Sequence, residues 1–241
     1  MSWDNGLPTA MELEERFSAF VLSYGGERVA DLLQKKRELP LNADYLLWNR
    51  SVVAELKTIT ADHFADPKIG RKMLALSQQW VRDGLIPPLP PGRGIVSTEG
   101  LPLEQKGKAY AILTEPMRAA SARASRQMRE TKEWLKLPNA KGLLIIANIG
   151  DRSLAPKTAL HYLEYVLARH TRTIHSFIFF SPTFDPRQPN VPLGLWMSGS
   201  TAHPDGGVAD ELINGIGAAW HEFVTEGSGV CRINLPASYL R

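Results

Sequence analysis

The chain reads as an α/β protein, three-layer α/β/α with a central mixed β-sheet. Three observations lead there. The run Gly142-Leu143-Leu144-Ile145-Ile146-Ala147-Asn148-Ile149 is continuously apolar, as a strand buried on both faces must be. A second such run covers Ile174 to Phe180. Amphipathic segments with apolar residues at helical spacing alternate with these runs, and a β-hairpin precedes them, so the sheet is mixed and helices flank it.

Taken in order, Met11 to about Tyr24 carries Leu13, Phe17, Phe20 and Val21 on one stripe, and Gly25-Gly26 stops the helix. Glu27 to about Glu38 reads as a second helix ended by Pro40. The hairpin runs from Ala43 to Trp48, turns at Asn49-Arg50, and returns from Ser51 to Ile59. Asp66-Pro67 is a helix start with proline at the first position, and that helix extends to Asp83-Gly84. The proline-rich stretch 87–94 marks an excursion, and the whole of 60–113 reads as an insertion where substrate selection would reside. Thr114-Glu115-Pro116 opens a long helix ending near Leu137-Pro138. Pro156 to about His170 and Val208 to about Thr225 are helical; Leu193–Met197 and Val230–Leu235 are short strand candidates, and Ser198–Thr201 reads as a loop. The 241 residues suit a single domain with that one insertion.

Composition narrows the class. The net charge of +3 and an apolar content of 44% describe a folded, mildly basic chain for which a polyanionic partner is permitted but not required. One cysteine, Cys231, rules out an internal disulfide and a cysteine-based zinc site, which fits a reducing, cytoplasmic setting. The first residues lack the basic and apolar regions of a signal peptide, and no apolar run reaches membrane-spanning length.

The chemistry concentrates in the hairpin. With a two-residue turn at Asn49-Arg50, Trp48 faces Ser51, Leu46 faces Val53, and Asp44 faces Glu55. Opposed Cβ atoms lie roughly 5 Å apart, and like charges there are destabilising; two carboxylates at that range repel by about 3 kcal/mol at an effective dielectric of about 20. A hard divalent cation reverses that penalty. Strand alternation puts Lys57 on the face of Glu55 and turns Leu56 away. Two acids and a lysine on one patch suit metal-assisted phosphodiester hydrolysis, the lysine stabilising phosphate oxygens or orienting the nucleophile.

The long helix supplies a further group. Met117, Ala120, Ala124, Met128, Thr131 and Leu135 form one stripe, and Arg118, Arg129, Lys132 and Lys136 lie together on another side. Arg123 and Gln127 are four apart and therefore neighbours. A glutamine beside a metal can hold water or a phosphate oxygen, and the basic stripe can track a nucleic-acid backbone.

Asp44, then Glu55-Leu56-Lys57 on an apolar strand, then an alanine-rich helix with Gln127, then the buried strand 142–149 resembles the PD-(D/E)xK nuclease superfamily, the restriction-endonuclease-like fold. The resemblance spans roughly residues 11–180 and rests on four or five positions. It implies a Mg²⁺- or Mn²⁺-dependent (endo)deoxyribonuclease in which Asp44 and Glu55 bind the metal and Lys57 acts on the attacking water or scissile phosphate. It also implies an acid from the first helix as a further ligand, Glu15 or alternatively Glu12, and a DNA contact through Arg118, Arg123, Arg129 and Lys132. Many such nucleases pair up, so a homodimer is compatible. Ala43 stands where the motif has proline, and about fifty residues separate the motif strand from Gln127, so Gln78 and Gln79 are rivals for its role. A non-catalytic nucleic-acid- or protein-binding module on the same fold is the alternative.

The six histidines show no zinc-ligand spacing; His170 and His175 read as surface residues at a helix-to-strand turn, and His63 is the one within reach of Lys57 along the chain. Trp80, Trp134 and Trp220 fall on helices as core residues, and Trp196 is a candidate for stacking or burial.

Overall fold

Lys141–Asn148 (β4) is the strand on which the sheet is built, and every residue after Lys141 is buried. The computed structural model describes residues 9–33, 42–62, 65–88, 98–150, 154–181 and 195–225. Within them, β4 is flanked by Val52–Ile59 (β3) and Ser176–Ser181 (β5), both parallel to it. Outside β3 lie Tyr45–Leu47 (β2) and the two-residue Glu27–Arg28 (β1), and outside β5 lies Leu195–Ser200 (β6), all antiparallel to their neighbours. The result is an open mixed sheet of six strands in sequential order.

Seven helices accompany the strands among the described residues: Ala10–Ser23 (α1), Val29–Leu33 (α2), Pro67–Arg82 (α3), Leu103–Leu113 (α4), Glu115–Leu135 (α5), Pro156–His170 (α6) and Asp210–Thr225 (α7). Alternate strand residues go to two separate cores. Val53, Leu144, Ile146, Phe177 and Phe179 pack with Ala124 and Met128 of α5 and with Leu163 and Val166 of α6. Val52, Ala54, Leu56, Leu143, Ile145 and Ile178 pack with Phe17 and Phe20 of α1 and Trp220 of α7. Period-two alternation in the strands and 3.6-residue spacing in the helices thus meet at both cores.

Local chemistry sets the helix ends. Thr9 and Glu12 form a reciprocal capping box at the start of α1, and Asp66 caps α3 ahead of Pro67. Gly25, at φ +83°, turns the chain after α1 where a side chain would be strained. The segment between β3 and α5 contains α3 and α4, which share a small core of Trp80, Leu101 and Ala109, with the Trp80 indole donating to Gln105. Trp220 is buried, and Trp196 lies against Phe180.

Several expectations change. Glu27 and Arg28, read as the start of a helix, pair instead with Leu46 and Tyr45 as a sheet edge, and the helix begins only at Val29. An α-helix, α4, occupies part of the excursion. Ser198–Ser200, read as loop, belongs to β6 because it pairs with Ser176–Ile178. The hairpin loop spans four residues, Trp48 to Ser51, with Trp48, Asn49 and Arg50 all at positive φ. Adding one loop residue on each side leaves the pairing unchanged, so Leu46 still faces Val53. Residues 34–41, 89–97 and 226–241, including Cys231 and the Val230–Leu235 segment, lie outside the described residues.

Candidate active site

Glu55 sits in the middle of β3 on the side of the sheet that α5 covers. It is completely buried, which a carboxylate tolerates only with partners. Its Oε1 accepts from the Lys57 ammonium, two residues on along the same strand face. Its Oε2 is buried with no hydrogen-bond partner among the described residues. Burial first, then the nearby charge of Asp44, pushes the Glu55 carboxyl up to about 8, against the opposing pull of Lys57 and the Asp44 amide.

Asp44 stands at the point where β2 begins. Its carbonyl accepts from the Val29 amide at 2.9 Å. Its Oδ2 accepts from the Leu56 amide at 2.8 Å, which holds the carboxylate beside Glu55. Burial raises the Asp44 pKa, Leu56 and Lys57 act against that rise, and Glu14 adds to it. A buried carboxyl whose pKa is raised by burial and by the charge of a second carboxylate marks a place with a use for an added cation.

Helix α5 fixes this geometry from above. Gln127 accepts from Lys57 Nζ at 3.1 Å through Oε1 and donates to the Asn42 carbonyl at 2.8 Å through Nε2. One turn later, Thr131 Oγ1 accepts from the Ala43 amide at 2.8 Å. The helix therefore grips the segment leading into Asp44 and steadies Lys57 with one side chain. Both ends of the Gln127 amide are thus engaged within the protein. Its rivals stand elsewhere: Gln78 and Gln79 are exposed on α3, and Gln79 bonds Asp83.

Asp44, Glu55, Lys57 and Gln127 come together in the structure; neither Glu15 nor Glu12 of α1 is seen to touch them. Glu14 is the residue whose charge acts on Asp44, and it accepts from Thr58 Oγ1 at 3.3 Å. Glu14 and Glu15 are both exposed, and Glu12 is engaged by Thr9 in the capping box. The signal was available: at about 100° per residue, Glu14 borders the stripe of Leu13, Phe17 and Val21, whereas Glu15 lies on the far side. Along α5, Arg118, Arg123 and Arg129 are exposed and Lys132 is half-buried. His63 lies outside the described residues.

The donor set at Glu55 fits a hard divalent cation. The unpartnered buried Oε2 of Glu55 and the neighbouring Asp44 carboxylate are oxygen donors of the kind Mg²⁺ and Mn²⁺ take. No family model, curated protein or solved structure matches this chain.

A second group of ligating side chains lies apart from this site. His175, His203 and Asp205 bring ligand atoms within 4.8 Å of one another and could hold a metal ion. Histidine spacing in the sequence did not reveal this group, because β5 and the segment after β6 become neighbours only through sheet pairing. His175, expected at the surface, is buried, its amide donating to Gly142 across the start of β4.

Proposed function

We propose that this chain is a divalent-metal-dependent nuclease that hydrolyses phosphodiester bonds in DNA, on a three-layer, restriction-endonuclease-like arrangement. The observation that carries this reading is the orphaned Oε2 of Glu55, buried beside Asp44 and next to a lysine held in place by Gln127. Glu55 and Asp44 would hold Mg²⁺ or Mn²⁺, and Glu14 would support it from α1. The bound ion supplies charge neutralisation at the scissile phosphate and acidifies a water.

The chain's own residues do the rest. Lys57 has three donors; Glu55 and Gln127 engage two, which leaves one for the attacking water or a phosphate oxygen. Gln127, tied to Asn42, prevents that ammonium from swinging away. Asp44, restrained by the Leu56 amide, keeps its second oxygen for a ligand. The exposed Arg118 and Arg129 lie along one edge of a helix of 21 residues and Arg123 on the side of Gln127, and they offer phosphate contacts.

The test is a digestion panel of supercoiled plasmid, linear duplex, single-stranded DNA and RNA with Mg²⁺ or Mn²⁺. Cleavage of DNA that disappears with chelator, with Glu55→Ala and with Lys57→Ala is the expected result. Cleavage equal in wild type and both variants would place the activity elsewhere. Retained DNA binding with no cleavage of any substrate would favour the non-catalytic module.

A further inference from the structure

At the opposite end of β4 from Asn148, a pocket of about 410 Å³ opens where α5 ends and β4 and β5 begin. Its wall carries Arg129, Lys132, Lys141, Arg172, His175 and His203, with Asp205 as the lone acid. We infer that this pocket binds a phosphate group, the monoester phosphate of a nucleotide or of a nucleic-acid end.

The first argument is charge. Four permanent or near-permanent cations line one recess of a chain whose net charge is only +3. Lys132 is half-buried, and no carboxylate pairs with it among the described residues. Burial lowers its pKa to about 8. The Lys132 ammonium is thus held in surroundings that a dianion would relieve.

The second argument is that the histidines are badly disposed for a cation. The Asp205 amide donates to His203 Nδ1 at 3.1 Å, so the proton sits on Nε2, which donates to the Arg172 carbonyl at 2.9 Å. Both nitrogens of His203 are therefore engaged. His175 Nδ1 lies between the Gly142 amide at 3.0 Å and the Thr173 carbonyl at 2.9 Å, leaving only Nε2 for a ligand. A metal here would find one free imidazole nitrogen and one exposed carboxylate amid four positive side chains. An oxyanion finds donors throughout, including the planar guanidinium of Arg172, suited to two phosphate oxygens at once.

The inference stands on the pocket alone and does not require that Glu55 support cleavage. The test follows the imidazole ¹H–¹⁵N signals of the full-length protein in chelator, titrated with inorganic phosphate, thymidine 5′-monophosphate and thymidine. Saturable shifts at His175 and His203 with the first two probes, and none with thymidine, are expected. Lys132→Gln and the exposed Arg172→Gln should each weaken binding roughly tenfold, the loss of one charge-assisted bond. Glu55→Gln should bind phosphate as wild type does, which separates failure here from failure of the nuclease reading. Oligonucleotides with a 5′ phosphate or a 5′ hydroxyl then identify the source. Tighter binding of the phosphorylated end than of the mononucleotide assigns the pocket to strand ends, and equal binding assigns it to free nucleotides. Absence of saturable shifts with phosphate and the mononucleotide would overturn the inference, as would saturation by Zn²⁺ in a parallel chelator-free titration without saturation by phosphate.

Discussion

Replacing Glu55 by glutamine removes a charge from a place where the fold resists it, and the effect must depend on pH. The Glu55 carboxyl is fully buried and shifted from its ordinary 4.5 up to about 8. The folded state therefore keeps a proton that the unfolded chain has released across that window. Stability from this group is complete below pH 4.5, falls as pH rises toward 8, and is flat above it. At about 1.4 kcal/mol per unit, the loss across the window is on the order of 5 kcal/mol. Glu55→Gln keeps the shape and does not ionise. Its stability relative to wild type should then be near zero at pH 4.5 and rise by several kcal/mol by pH 8, without added metal. Asp44 shifts in the same direction, but it is present in both proteins and largely cancels in the difference. Urea unfolding at a series of pH values, extrapolated to zero denaturant, measures this directly. Parallel stability curves for the two proteins would refute the argument that the fold forces charge on Glu55 into an unpartnered place.

Gln127→Leu should destabilise the protein by about 1–3 kcal/mol in urea unfolding, since the Asn42 carbonyl and Lys57 both lose a partner; it should also lower any cleavage rate more than it weakens DNA binding. Glu14→Gln should weaken Mn²⁺ binding roughly tenfold, as loss of a supporting carboxylate does, while Glu15→Gln should leave it unchanged, both read by calorimetric titration. Gly142→Ala should cost roughly 3 kcal/mol or more, because an added Cβ would stand 2.1 Å from the Thr173 carbonyl oxygen; a melting temperature close to wild type would contradict that packing.

How far the sequence carried depended on how local each signal was. The buried strand β4 announced itself through a run of apolar residues, and α5 and α6 through stripes at helical spacing with proline at their starts. The Asp44–Glu55 register was legible because hairpin pairing needs only the loop's centre, which a four-residue loop shares with the two-residue one. Lys57 followed from strand alternation. Gln127 was legible as a residue type on the right helix, but its grip on Asn42 was not, since that contact bridges 85 residues of chain. The edge strand β1 was hidden because two residues carry no periodicity, and only pairing with β2 makes Glu27 and Arg28 extended. The His175–His203 stack, with ring centroids 3.9 Å apart, arises from β5–β6 pairing and leaves no mark in residue spacing. Glu14, whose charge acts on Asp44, borders the apolar stripe of α1, a position the helical wheel could have identified and the motif resemblance did not.

Calorimetric titration of Mn²⁺ into the full-length protein near neutral pH, in two buffers of different ionisation enthalpy, bears most directly on whether the buried Glu55 carboxylate is a cation ligand. One saturable site that releases about one proton in wild type, and that vanishes in Glu55→Gln, is the expected result, because a carboxyl held up at about 8 must lose its proton to bind. Identical heats and proton release in wild type and Glu55→Gln, or no binding in wild type, would contradict it.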